Sequence, residues 1–104
     1  MKYTVNLSSE AVKDINGIYE YIAATLGEKE IAVNMINLIE KNILSLDEMP
    51  GRYKIYESEP WNSRGVHIMP VKRYLVFYVV DDNEKAVNIF RVIYGSRDID
   101  NVLN

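Results

Sequence analysis

The chain contains no cysteine, so neither a disulfide nor thiolate chemistry is open to it. It contains one histidine, His67. A lone imidazole without cysteine does not make a structural zinc site, and neither a metal nor an organic cofactor is expected. Long hydrophobic runs are also missing. The longest, Y-L-V-F-Y-V-V at 74–80, falls far short of the roughly 20 residues of a membrane span, so no membrane partner is expected. The opening M-K-Y-T-V-N-L lacks the apolar stretch and small-residue cleavage site of a signal peptide, and a cytoplasmic location is the expectation. A strong basic excess is lacking too. Net charge is −3, which excludes a long-range field that gathers nucleic acid.

What is present fits one domain with one core: 104 residues, 48% hydrophobic and 26% charged. The charge is uneven. Residues 1–48 carry four lysines against eight acids, whereas residues 49–104 carry eight basic residues against seven acids. Basic residues concentrate at 52–73, where Arg52, Lys54, Arg64, Lys72 and Arg73 face only Glu57 and Glu59. A local patch for an anionic partner is therefore expected.

Residues 2–7 alternate in the period-2 manner of a short strand. Ser8 or Ser9 is a helix N-cap with Glu10 in the first turn. Ala11, Ile15, Ile18, Tyr19, Ile22 and Leu26 then form one apolar helix stripe, closed by Gly27. A second helix from about Glu28 to Asp47 carries Ala32, Met35, Ile36, Ile39, Ile43 and Leu46, and Pro50-Gly51 stops it. So short a link predicts a helical hairpin. Residues 52–56 are a weak strand candidate, 59–65 a loop, and 66–71 an extended segment whose Pro70 argues for its end or a sheet edge. Residues 74–80 predict a central strand, 81–84 a polar turn and 86–94 its hairpin partner. In the tail, Ile99, Val102 and Leu103 are able to dock. The order β-α-α-β-β-β predicts an α+β fold, with a two-helix hairpin packed on one face of a small, mainly antiparallel sheet. The opposite face is expected to stay open for another macromolecule.

Four segments resemble the RelE/ParE superfamily, the toxins of bacterial type II toxin–antitoxin modules. They are Y-T-V-N-L-S-S-E-A-V-K-D-I at the start, M-P-G-R at 49–52, P-V-K-R-Y-L-V-F-Y-V-V-D at 70–81 and I-F-R-V-I-Y-G-S-R-D at 89–98. They span nearly the whole chain in the right order. The resemblance implies a single-domain growth inhibitor, of the plasmid-stabilisation type, neutralised by a cognate antitoxin. Two mechanisms occur within it. RelE-like members are ribosome-dependent endoribonucleases that cut mRNA without a metal, and ParE-like members poison DNA gyrase. Whether this chain is an enzyme stays open between them, and self-association as a homodimer stays open as well.

RNA cleavage needs a base for the 2′-hydroxyl, cations for the phosphorane and an acid for the leaving oxygen. His67 and Arg97 are the candidates for that chemistry, with Lys72 and Arg73 assisting. Against a nuclease, Tyr74 stands where ribonuclease members tend to carry arginine, and I-D-N-V-L-N after Asp98 has no tyrosine or histidine. The exit R-V-I-Y-G-S-R-D resembles the ParE-like pattern Arg-x-x-His-Gly-x-Arg-Asp, with Tyr94 in the histidine place. The ParE-like reading is therefore preferred; a third is an attenuated, non-enzymatic binding module. Candidate target- or antitoxin-binding residues are Arg52, Lys54, Arg64, Lys72, Arg73, Tyr74, Arg91 and Tyr94. Arg91 is expected to pair with Glu57 or Asp98 or to line the outer face. Trp61 is expected either to lie over a small core, the preferred reading, or to anchor a partner.

Overall fold

A computed structural model describes residues 2–96 and 99–103. Strand β1 (Thr4–Leu7) leads through Ser8 into helix α1 (Ser9–Glu20). The Ser8 hydroxyl accepts the Ala11 N–H at 3.1 Å, an N-cap that satisfies one free donor of the first turn. The same hydroxyl donates to the Phe90 carbonyl at 3.1 Å, so the cap also fastens the helix start to the sheet. A wider turn at Tyr21–Thr25 prolongs α1, with the Leu26 N–H donating back to Tyr21 C=O at 3.0 Å. Gly27, at φ 71°, reverses the chain without a Cβ penalty. Helix α2 (Lys29–Leu44) runs back along α1 and closes in a 3-10 turn at Ser45–Asp47.

The remaining strands are β2 (His67–Val71), β3 (Tyr74–Asp81) and β4 (Ala86–Tyr94), and a short helix α3 (Ile99–Leu103) follows. The sheet order is β1-β4-β3-β2. β3, apolar up to its final Asp81, is an interior strand, and Pro70 lies on the edge strand β2, where a missing N–H costs no ladder bond. The β2–β3 and β3–β4 pairs are antiparallel, whereas β1 runs parallel to β4, with Thr4 opposite Ala86 and Leu7 opposite Ile89. A bulge opposite Phe77–Tyr78 turns Phe90 and Arg91 out of simple alternation. The segment 52–56 is less than a strand: a single bridge joins Ile55 to His67.

The helical hairpin packs on one face. Ala11, Ile15, Ile39, Ile43 and Leu46 meet Met69, Val76, Tyr78, Val87, Ile89 and Val92 in the main core. Two members of the predicted stripes leave it. Tyr19 is only half-buried, and Leu26 is 54% exposed because the widened turn before it carries it off the buried face.

The expectation of an open outer face is corrected. That face carries a second, smaller core of Trp61, Val66, Phe77 and Ile93, covered in part by Ile99, Val102 and Leu103 of α3. The cause is composition: Leu75, Phe77 and Val79 on β3 and Phe90 on β4 are too apolar to leave wet, and the nearest cover is the chain's own tail.

Candidate functional site

Beyond Leu7, β1 no longer accompanies β4, and α1 crosses the gap. Asp14 sits there. Its carboxylate accepts the Arg91 guanidinium through Nε at 2.7 Å and Nη2 at 3.1 Å, and the Val92 N–H at 2.9 Å. The remaining Arg91 nitrogen donates to Val102 C=O at 3.0 Å. One ion pair thus ties α1, β4 and α3 together. The bond from Asp14 raises the Arg91 pKa further above its ordinary value, against a smaller opposing effect of burial. Arg91 is therefore neither a partner of Glu57 nor a free cation of the outer face. Asp14 itself is the residue that sequence reasoning missed. The available signal was an acid at the flank of the stripe formed by Ala11, Ile15 and Ile18.

His67 lies at the corner where β2 meets the segment after α2. Its Nδ1 is 2.7 Å from Tyr53 C=O, which only accepts, so Nδ1 carries the proton. The ring stacks on Tyr78, with centroids 5.1 Å apart and planes 13° from parallel. Tyr78 is fully buried and donates to Pro50 C=O at 2.6 Å; burial pushes its pKa to about 12. Arg52, next to Tyr53 in the sequence, is spent on structure. It donates to Glu48 C=O at 2.6 Å, to Met49 C=O at 3.1 Å and to the Ser45 hydroxyl at 3.0 Å, covering the free carbonyls after α2.

The other candidates are dispersed. Arg64 lies over the Trp61 ring, 5.3 Å from its centroid, beside the outer-face core. Lys54 lies next to β2, where its C=O accepts from the Ile68 N–H at 3.1 Å. Lys72 and Arg73 form the tight β2–β3 turn, both exposed, at the sheet end shared with Tyr74 and Tyr94. The five basic residues of 52–73 do not converge on one face. Arg97 and Asp98 lie outside the described residues.

At that sheet end α1 and β4 diverge around a cleft of about 710 Å³. Tyr74 forms its base; Gly17, Tyr21, Leu26 and Tyr94 surround it, with Lys13 and Asp14 at one end. Tyr74 is buried, with its ring edge-on to Tyr94 at 5.6 Å, so it offers no face for a stacked base. Burial raises its pKa first, and the Tyr94 and Tyr21 phenols add to the effect. Tyr21 and Leu26 are 55% and 54% exposed, and Tyr94 37%. The sequence named Tyr74 and Tyr94 here but not Gly17, Tyr21 or Leu26. The widened turn that splays them has no signature in composition or periodicity.

Among solved structures, the chain superposes on the chromosomal ParDE toxin–antitoxin system of P. aeruginosa with a TM-score of 0.73 at 19% identity, covering 89% of this chain and 96% of that one. It is also similar to the RelBE2 toxin–antitoxin complex of Mycobacterium tuberculosis, with a TM-score of 0.62 at 23% identity, covering 90% and 99%. A third likeness is to a mutant of the E. coli toxin RelE in the free state, with a TM-score of 0.64 at 16% identity, covering 95% and 90%. These similarities establish the fold. No curated protein matches the chain by sequence. The sequence model described as "ParE toxin of type II toxin-antitoxin system, parDE" matches residues 5–99, nearly the full length, and the chain belongs to that toxin family.

Proposed function

We propose that this toxin arrests growth by binding its target rather than by cleaving RNA, that the target is DNA gyrase, and that a cognate antitoxin neutralises it. The observation that carries this reading is where the polar groups of the neighbouring candidates go. Of the proposed binding residues, Arg52 caps the end of α2, Arg91 is locked on Asp14, and Tyr74 is buried. His67 keeps one ring nitrogen uncommitted, but among the described residues the assisting candidates Lys72 and Arg73 stand at the far end of β2, and one imidazole without a convergent cation does not stabilise a phosphorane. The family match supports the same reading.

The test sets two assays side by side. Purified toxin added to gyrase and relaxed plasmid is expected to block supercoiling, while translation-coupled mRNA stays intact. Codon-phased mRNA cleavage that disappears in His67→Ala, with supercoiling unimpaired, would replace this reading by the RelE-like one.

A further inference from the structure

The two outer edges of the sheet are protected unequally. Along β2, Lys54 C=O takes the Ile68 N–H at 3.1 Å, Ile55 bridges to His67, and Pro70 has no N–H to offer. Past Tyr3, β1 has no such cover. Its sequence, Thr4-Val5-Asn6-Leu7, holds no charge and no proline, and no bulge interrupts its register with β4. We propose that this edge is a contact between two copies of the chain, paired antiparallel about a two-fold axis at Asn6, so that two four-stranded sheets join into one. Such a dimer depends neither on the target nor on the antitoxin.

Backbone alternation fits this occupant. The Thr4 N–H donates to Lys85 C=O and the Ser8 N–H to Ile89 C=O, both at 2.9 Å. Thr4, Asn6 and Ser8 therefore turn to β4, and Tyr3, Val5 and Leu7 turn outward. Asp47 C=O takes the Tyr3 N–H at 2.8 Å and closes one end of the edge. Helix α1 begins at Ser9 and closes the other. Between them Val5 and Leu7 each keep an N–H and a C=O without a partner among the described residues. A second copy running the other way meets these groups in full. Val5 pairs with the partner's Leu7 and Leu7 with the partner's Val5, each pair exchanging both bonds.

The residue on the axis is self-complementary. Asn6 donates one amide N–H to Asn88 Oδ1 at 3.2 Å, which leaves it an oxygen and a second N–H. Each Asn6 amide gives one hydrogen bond to its likeness and takes one back, and no like charges oppose each other there. Apolar surface continues the contact on the other face. Val5 and Leu7 point to the helix side, opposite to Asn6. There the exposed Leu7, Val12 and Leu44 border a groove of about 300 Å³ with the buried Ile15 and Ile43 beneath. Pairing about Asn6 sets Leu7 against the partner's Val5 and carries both grooves to the same side of the joined sheet, where covering them removes apolar surface from water.

Sedimentation equilibrium and amide hydrogen exchange of the purified chain, over a concentration series, test the contact. The mass is expected to rise from 12.0 kDa towards twice that value with a Kd of about 1–100 μM, as suits an interface of one short strand and one groove per copy. Exchange of the Val5 and Leu7 amides is expected to slow by at least about tenfold across the series. Asn6→Lys and Asn6→Asp each set like charges on the axis and are expected to weaken self-association by about tenfold or more. Mixed in equal amounts, the two variants are expected to recover it as a heterodimer. Melting curves establish that each variant is folded, and the exchange series on the unaltered chain decides the matter where one is not. A mass that stays at 12.0 kDa up to about 1 mM overturns the proposal. So does a dimer whose Val5 and Leu7 amides exchange as fast as the monomer's, or one that both Asn6 variants leave intact, because its contact lies on another surface.

Discussion

Asp14 and Arg91 have side chains only 16% and 22% exposed, and the carboxylate serves a guanidinium and a backbone N–H together. Removing one member strands the other in a half-dry site. Asp14→Ala is expected to cost about 2–4 kcal/mol in urea unfolding. A double-mutant cycle with Arg91→Ala is expected to recover part of that loss, because the stranded charge leaves too. Tyr78 supplies a pH dependence. Its folded pKa lies near 12 against an ordinary 10.0, so the folded chain holds the proton more tightly than the unfolded chain does. This contribution is complete below pH 10 and lost as pH rises towards about 12. The urea midpoint is expected to fall across that window and to fall less in Tyr78→Phe. At this scale the sequence was least informative. It placed Arg52 in a binding patch and did not find the partner of Arg91, because their partners are backbone carbonyls and an acid 77 positions away.

Secondary structure was far more legible. Apart from Tyr19 and Leu26, the helix stripes stand in the structure where periodicity put them, as do the Ser8 cap, the Gly27 stop and the edge position of Pro70. Residues 52–56 did not become a strand because only Ile55 reaches a bridge. The β2–β3 turn carries a local cost that no hydrophobic pattern reveals. Lys72 sits at φ 55°, in the left-handed region that a side chain with a Cβ enters at a penalty of about 1 kcal/mol. Lys72→Asn is expected to raise the melting temperature by a few degrees, since asparagine suits this position of a two-residue hairpin. If Lys72 also meets the acidic flank of a partner, the same substitution weakens binding while it stabilises the fold. Calorimetry and titration separate the two effects.

For the molecule as a whole, the sequence indicated the correct layers and one wrong vacancy. It anticipated that Ile99, Val102 and Leu103 could dock and that Trp61 covered a small core, yet it left the outer face bare. Those two observations together imply a covered face, but contact between loop and tail is long-range and leaves no period in the sequence. Leu103→Asp is expected to loosen α3 and wet the outer-face core. Trp61 is the chain's one tryptophan and therefore its reporter: its fluorescence maximum is expected to shift to the red, with the main-core amides still protected.

The parallel pairing of β1 with β4 has a temporal consequence. Thr4 waits for Ala86 and Leu7 for Ile89, so the sheet's margin closes only after nearly the entire polypeptide has been synthesised. A nascent copy therefore leaves its first strand unpaired until its ribosome has almost finished.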